Sequence, residues 1–291
     1  MSKKKRIGDR WDGALLRNTD AMHFIMPLIF PNRCDNEAFV SERVDLTRLS
    51  EYLDKKNSMG AEYKYNLFQA IVTAILKTVT LRPKMNRFIK NNNLYQRNGI
   101  SASFIVKKQF TDSGEEGLAF IHSKETDTID DIHNVIYRQV SDCRKGENKD
   151  TTSEVMEIFN KLPRGLSKAV VKLLCFLESR GRIPASFVEA DPYYSSVILT
   201  NLGSIKLHSG YHHLTNWGTT SVFVIVGERK MRPFFDENGN VTMRDSVDLG
   251  FTVDERIADG YYFSETIKLF KNLLENPELL DAPMSEEVLR Q

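Results

Sequence analysis

The chain has 291 residues, enough to build a large hydrophobic core in one domain or two smaller ones. Hydrophobic residues make up 41% of it and charged residues 27%, which excludes a disordered or fibrous protein. Its 40 basic and 39 acidic residues give a formal net charge of +1, so nucleic acid is not an expected partner. Three cysteines without CxxC spacing, Cys34, Cys143 and Cys175, predict neither a disulfide framework nor a zinc ribbon and favour a reducing cytoplasm.

No apolar run reaches the roughly 18 to 20 residues of a membrane span, so no membrane span is predicted. The N-terminal segment Met1–Arg6 is basic, but no apolar segment follows it as a signal peptide would require. Residues 1–15 are therefore predicted to be a flexible basic tail. Because no internal repeat or long linker divides the remainder, we predict a single domain over residues 16–291.

Hydrophobic periodicity predicts the elements in chain order, since alternating apolar residues indicate strands and spacings of three and four indicate helices. In the first half, Asn98-Gly99 separates two apolar runs and predicts a β-hairpin over residues 94–110. The other elements predicted there are a strand at 38–44, a helix from Asp45 through Leu53, a helix at 66–81, a strand at 118–121 and a helix at 128–143.

The second half begins with helices and returns to strands. Because strands and helices follow one another without regular alternation, the whole pattern predicts an α+β domain. The predicted elements are helices near 153–161 and at 165–179, strands at 196–199, 221–226, 241–244 and 247–253, and a helix at 262–274.

Three of the six histidines, His208, His212 and His213, lie within six residues of one another. Imidazoles can hold zinc, so a metal-dependent hydrolase is one hypothesis. However, no acidic residue lies between Asp191 and Glu228 to complete the ligand set, and adjacent histidines normally point apart. No metal site is therefore predicted, and the absence of a P-loop or a GxGxxG pattern argues against nucleotide chemistry.

Residues 254–260 place four charged side chains between an apolar strand and an amphipathic helix. Such a cluster either fixes the turn by ion pairs or carries out catalysis, and composition alone favours the ion pairs. A second polar stretch, Thr200-Asn201-Leu202-Gly203, puts a hydroxyl and an amide at the end of a buried strand. The four charged residues are Asp254, Glu255, Arg256 and Asp259.

Together these segments resemble the catalytic domains of dihydrolipoyl acyltransferases from 2-oxo acid dehydrogenase complexes and the related chloramphenicol acetyltransferases. The similar segments are Leu199-Thr-Asn-Leu-Gly203, Phe223-Val-Ile-Val-Gly227 and Phe251-Thr-Val-Asp-Glu-Arg-Ile-Ala-Asp-Gly260, with weaker similarity at 44–49 and 68–77. The closing motif of the family is typically D-H-R-x-x-D-G. This chain departs from it by carrying Glu255 in the place of the histidine.

The resemblance implies a chloramphenicol acetyltransferase-like two-layer sandwich, with a mixed sheet and helices, that assembles as a trimer. It also implies a stand-alone CoA-dependent acyltransferase, with acyl-CoA and a small thiol, amine or hydroxyl acceptor meeting in a channel between subunits. By position, Thr200 matches the hydroxyl that stabilises the oxyanion, Glu255 the catalytic base and Asp259 an acid that holds an arginine. The supporting positions are Asp254, Arg256, Asn201 and Gly260.

The carboxylate at position 255 leaves the activity open. A carboxylate is a weaker base than an imidazole, so it suits a thiol acceptor better than an alcohol and needs burial to serve well. His212 or His213 is an alternative base. The alternative function is a catalytically inactive homologue that acts as an oligomeric binding or scaffold protein.

Two further departures from the family concern whole segments. The lipoyl and partner-binding domains that accompany family members in dehydrogenase complexes are not expected in this chain. The helix at 165–179 is an insertion with a broad apolar face, which we expect to pack on the core or on a neighbouring subunit. A lid or an acyl-chain pocket is the alternative. The face consists of Leu166, Val170, Leu173, Leu174 and Leu177.

Overall fold

Two sheets organise the fold in a computed structural model, which describes residues 6–107, 111, 116–145, 161–183, 188 and 191–288. The strands are β1 (Gly13–Leu15), β2 (Glu37–Asp45), β3 (Arg87–Lys90), β4 (Asn93–Arg97), β5 (Ile100–Lys107), β6 (Glu116–Ser123), β7 (Val197–Asn201), β8 (Val222–Phe235) and β9 (Val241–Asp254). Within these ranges, the larger sheet has the order β2-β9-β8-β7-β5-β6 and the smaller one β1-β4-β3. The larger sheet is mixed, because β7 runs parallel to both of its neighbours.

Helices cover one face of the larger sheet, with α3 lying deepest, because every residue from Gln69 to Val79 is buried. A capping box starts α3: the Asn66 side chain accepts from the Gln69 backbone, and the Gln69 side chain accepts from that of Asn66. The helices are α1 (Ala21–Ile29), α2 (Thr47–Ser58), α3 (Leu67–Leu81), α4 (Ile129–Lys145), α5 (Arg164–Ser179) and α6 (Gly260–Glu275). Apolar residues of α2, α3, α4 and α6 form one core with the inner face of the sheet, which confirms the predicted α+β fold. In the described ranges, no helix has both the length and the apolar character needed to cross a membrane.

The predicted hairpin at Asn98-Gly99 is wrong, although strands do lie on both sides of it. β4 belongs to the smaller sheet and β5 to the larger one, so the chain passes between sheets there. The hairpin joins β3 to β4 instead, through Asn91 and Asn92, whose φ angles are 47° and 58°. Tight hairpin turns favour two residues with positive φ, a conformation that asparagine tolerates.

Two other predicted boundaries change in the second half of the chain. The strands predicted at 241–244 and 247–253 form the single strand β9, because Asp245 and Ser246 also pair with β8. The helix predicted near 153–161 lies almost wholly outside the described residues.

Residues 6–15 are not the flexible tail that was predicted. Strand β1 pairs with β4, and the side chains of Arg10 and Asp12 are buried. The Arg10 guanidinium donates to Asp12 Oδ1 at 2.9 Å and to the Glu178 carbonyl at 2.8 Å, so its charge is compensated where it is buried. The prediction of one domain over 16–291 stays a prediction.

Helix α5 forms where it was predicted, but of its apolar face Leu177 packs against a small buried cluster while other members stay at the surface. Leu166 and Leu173 are 51% and 56% exposed, and in this helix only Glu178, close to its C-terminal end, is buried. Leu166 and Leu173 are exposed because the helix is attached to the protein at its C-terminal end and its other turns lie at the surface. Packing on a neighbouring subunit stays a prediction.

Candidate active site

Asp254 organises the charged turn that follows β9. Its Oδ1 accepts from Arg256 Nε at 2.8 Å and its Oδ2 accepts from Arg256 Nη2 at 2.7 Å. The Arg33 Nε atom lies 3.6 Å from the same Oδ2, and the three side chains are at most 3% exposed. Asp254 and Arg256 therefore form the ion pair that holds the turn, as composition favoured.

The two arginines also fix the surrounding backbone through carbonyl oxygens. Arg256 Nη1 donates to the Phe30 carbonyl at 2.7 Å. Arg33 Nη2 and Nη1 donate to the carbonyls of Ile89 at 2.9 Å and Thr215 at 2.6 Å. Burial lowers the pKa of Arg33, and the adjacent carboxylate opposes this by favouring the charged form. The turn, β3 and the loop before β8 are thereby held in one arrangement.

Glu255 points away from this cluster, is exposed and lines an open cleft of about 360 Å³. Met22 and Met26 of α1 and Phe263 of α6 supply apolar walls. The backbone N–H of Glu255 donates to the Asn36 carbonyl at 2.9 Å, which fixes the position of this residue. The cleft is thus a site where a carboxylate faces a partly apolar space.

Asp259 lies in the same cleft and caps α6, with Gly260 beside it. Its Oδ1 accepts from the Tyr262 backbone N–H at 2.8 Å, and this hydrogen bond lowers the pKa of Asp259. Lys84 Nζ lies 3.8 Å from the carboxylate. The expectation that Asp259 holds an arginine is not met within one copy, because its carboxylate is turned to the helix terminus and Asp254 holds the arginines.

The cleft contains a histidine that sequence reasoning missed, His23 on α1. Its Nδ1 lies 2.6 Å from Asp20 Oδ2, and the side chain is 14% exposed. Asp20 also caps α1 by accepting from the His23 backbone N–H at 3.0 Å. With Nδ1–H directed to a carboxylate, Nε2 is the nitrogen that accepts a proton. The pattern Asp20-x-x-His23 was a local signal, but nothing in the sequence placed α1 beside residues 255–260.

Thr200 lies at the end of β7, two residues after Ile198 and therefore on the same face of the sheet, opposite the main core. The Asn201 side chain accepts from the Ser204 backbone N–H at 3.2 Å and starts a short turn. Among the described residues, the Thr200 hydroxyl has no hydrogen-bond partner. It is therefore free to donate to a ligand.

His212 lies over the same face of the sheet as Thr200. Its ring stacks on Phe223 with centroids 4.3 Å apart, and its Nδ1 donates to the His213 carbonyl at 2.8 Å. His208 lies elsewhere, 3.4 Å from Glu228. In the described ranges no three His, Cys, Asp or Glu side chains are grouped to hold a metal.

Strand register separates Thr200 from Glu255. Thr200 pairs with Ile225, whereas Val253 pairs with Val222, three residues earlier on β8, and Glu255 follows two residues later. The separation is about 16 Å along the strands and about 10 Å across two strand spacings. A single reacting group cannot touch both side chains of one copy.

Comparison with known proteins relates part of the sequence to a family and the fold to solved structures. Residues 189–281 match the family described as 2-oxoacid dehydrogenases acyltransferase (catalytic domain). The cubic core of the pyruvate dehydrogenase multienzyme complex superposes with a TM-score of 0.60 at 13% identity, covering 89% of this chain and 88% of that one. No curated protein matches the sequence.

Two further solved structures have a similar fold. A dihydrolipoamide acetyltransferase (E2p) of Azotobacter vinelandii, studied for the catalytic roles of a serine, a histidine and an asparagine, gives a TM-score of 0.59 at 12% identity over 91% of this chain and 93% of that one. A chloramphenicol acetyltransferase gives 0.56 at 12% identity over 90% and 99%. The predicted resemblance is confirmed: residues 189–281 carry the acyltransferase family's sequence pattern, and the chain has the chloramphenicol acetyltransferase-like fold.

Replacing Asp254 by Ala should lower the free energy of unfolding by about 3–5 kcal/mol, because two buried guanidinium groups lose their carboxylate. Glu278→Ala is the matched control, since its ion pair with Arg48 at 2.9 Å is more than half exposed. The control should change stability by less than about 1 kcal/mol. Urea denaturation measures both, and equal effects would contradict a structural role for Asp254.

Proposed function

We propose that the protein is a CoA-dependent acyltransferase that moves an acyl group from acyl-CoA to a small thiol, amine or hydroxyl acceptor. The main observation that supports this proposal is the distance between Thr200 and Glu255 in a chain with the chloramphenicol acetyltransferase-like fold. Because the hydroxyl and the cleft do not meet in one copy, the Thr200 end of one copy faces the cleft of the next in a trimer. Among the described residues no disulfide joins the three cysteines, which supports the proposed cytoplasmic location.

The reaction needs one base and one hydrogen-bond donor. The base removes the proton of the acceptor thiol as its sulfur attacks the acyl carbonyl of acyl-CoA, and the new carbon–sulfur bond forms. The Thr200 hydroxyl donates to the resulting oxyanion. When this intermediate collapses, the bond to the CoA sulfur breaks and the base returns its proton to the departing thiolate.

Of the side chains in the cleft, we assign His23 as the base. Its imidazole is oriented by Asp20 at 2.6 Å and largely shielded from solvent, whereas Glu255 is exposed. Glu255 then acts as a charged neighbour that stabilises the protonated imidazole. His212, at the Thr200 end, is the alternative base, because its Nδ1 donates to a carbonyl and its Nε2 is left to accept a proton.

The positions of the site residues have support from one relative. In the Azotobacter vinelandii enzyme, the histidine and the asparagine studied for catalysis lie four residues apart. Glu255 and Asp259 have the same spacing, and Thr200 supplies a hydroxyl as the serine does. We propose that Asp259 takes the position of the asparagine and Thr200 that of the serine.

The competing function is an inactive homologue that serves as an oligomeric scaffold, which the carboxylate at position 255 favours. Calorimetric titration with CoA and acetyl-CoA separates the two functions, because donor binding is common to every active version. We expect micromolar binding of acetyl-CoA, followed by transfer to a thiol in an acceptor screen. No binding of either compound would contradict the acyltransferase proposal and support the scaffold.

Mixing two inactive variants tests the shared site. Thr200→Ala should lower kcat by roughly 10²-fold or more, because one oxyanion donor is lost. A double variant, His23→Gln with Glu255→Gln, removes both bases of the cleft. Co-refolding the two in equal amounts should restore up to about a quarter of the wild-type activity, because random assembly leaves about one interface in four intact. Each variant refolded alone is the control, and no gain on mixing would rule out a site between subunits.

Single variants identify the base. His23→Gln should lower kcat/KM by roughly 10²-fold or more, because the general base is lost. Asp20→Asn should lower the rate less, because the ring loses its orienting carboxylate and keeps its nitrogen. His208→Gln is the control, since that side chain is 71% exposed and paired with Glu228. Unchanged kcat/KM in His23→Gln together with a large loss in His212→Gln would assign the base to the other end of the site.

A further inference from the structure

Helix α5 presents an apolar stripe to solvent. Between Arg164 and Leu177 no side chain is buried. Leu166, Leu173 and Phe176 are 51%, 56% and 51% exposed. Single exposed apolar residues are common on protein surfaces, but three on one helix of a rigid fold form a contact surface.

The stripe follows the helical repeat. Its members, Leu166, Leu173 and Phe176, are spaced by seven and three residues and therefore lie on one side of α5. Lys168 and Lys172 are also exposed, and Lys172 lies one turn before Phe176. The exposed apolar residues and the exposed lysines therefore adjoin on the solvent side of the helix.

The C-terminal end of α5 is fixed to the body of the protein. Glu178 is 2% exposed and forms ion pairs with Lys90 and, at 3.4 Å, with Arg10. Leu177 packs against the small apolar cluster that contains Ile183. The stripe is therefore held at the surface by a rigid attachment.

The exposed charged side chains of residues 161–183 are all basic. Glu178 is the single acidic residue in the stretch from 161 to 183, and it is buried and already paired. This local charge contrasts with the net charge of +1 for the whole chain. The exposed basic residues of the stretch are Lys161, Arg164, Lys168, Lys172, Arg180 and Arg182.

We propose that α5 binds the surface of anionic membranes, with its apolar stripe among the acyl chains and its basic residues on lipid phosphates. An apolar side combined with lysines on a surface helix is the pattern of helices that lie in the membrane interface. The long lysine stems let the ammonium groups reach the headgroups while the stripe is immersed. Pairing with a second α5 would bring two positively charged helices together, so electrostatics disfavour a second copy as the occupant.

Sedimentation of the full-length protein with vesicles tests this proposal. The protein should bind vesicles of phosphatidylcholine with about 30% phosphatidylserine, bind pure phosphatidylcholine weakly, and lose binding as salt rises. The triple variant Leu166→Ser, Leu173→Ser, Phe176→Ser should reduce partitioning by roughly tenfold or more. Lys168→Glu with Lys172→Glu should abolish the preference for anionic vesicles.

A matched control changes exposed apolar residues elsewhere. Met231 and Phe235 on β8 are 55% and 71% exposed, and replacing both by serine should leave vesicle binding unchanged. Circular dichroism checks that each variant is folded. No binding to anionic vesicles at low salt, or equal binding to neutral ones, would overturn the proposal. Light scattering that shows an oligomer dissociated by the triple variant would also overturn it, because the stripe would then be a protein interface.

Discussion

The rest of the structure depends on how buried positive charge is compensated around Asp254. This carboxylate neutralises Arg256 and approaches Arg33, yet buried cations outnumber buried carboxylates in the surrounding network. Several of the guanidinium N–H groups donate to backbone carbonyls, so Arg33 and Arg256 fix loops as well as ion pairs. Burial lowers the pKa of Arg97 to about 10, which still leaves it charged at neutral pH. The cations are Arg10, Arg33, Lys90, Arg97 and Arg256, and the carboxylates are Asp12, Glu178 and Asp254.

This network decides which side chains are available for chemistry. Asp254 and Arg256 pair with each other and hold the turn. Glu255 lies between them in the sequence and lines the cleft. At the other end of the sheet, the short turn after Thr200 leaves its hydroxyl unoccupied among the described residues. Thr200 and the cleft of one copy are therefore too far apart for a single reacting group to touch both. In the proposed trimer, a closed ring of copies would bring the Thr200 end of one copy to the cleft of the next without any change in the fold.

Periodic patterns predicted most of the elements because helix and strand spacing are local properties of the sequence. The buried ion pair at Asp254 was also foreseeable, since charges concentrated at a turn commonly pair. The hairpin failed because Asn98-Gly99 and Asn91-Asn92 both permit tight turns, and only long-range pairing selects between them. His23 was missed for the same reason: its role depends on the packing of α1 beside residues 255–260, which no local pattern encodes.

The attachment of α5 argues that this helix is a fixed platform rather than a lid. Glu178 neutralises Lys90, and burial already lowers the pKa of that lysine. If α5 swung away, Lys90 would stay buried without its carboxylate, and Arg10 would lose a partner as well. The same residue therefore anchors the apolar stripe and completes the charge balance beside Arg33. Whatever surface α5 binds is held in a constant orientation to the candidate active site.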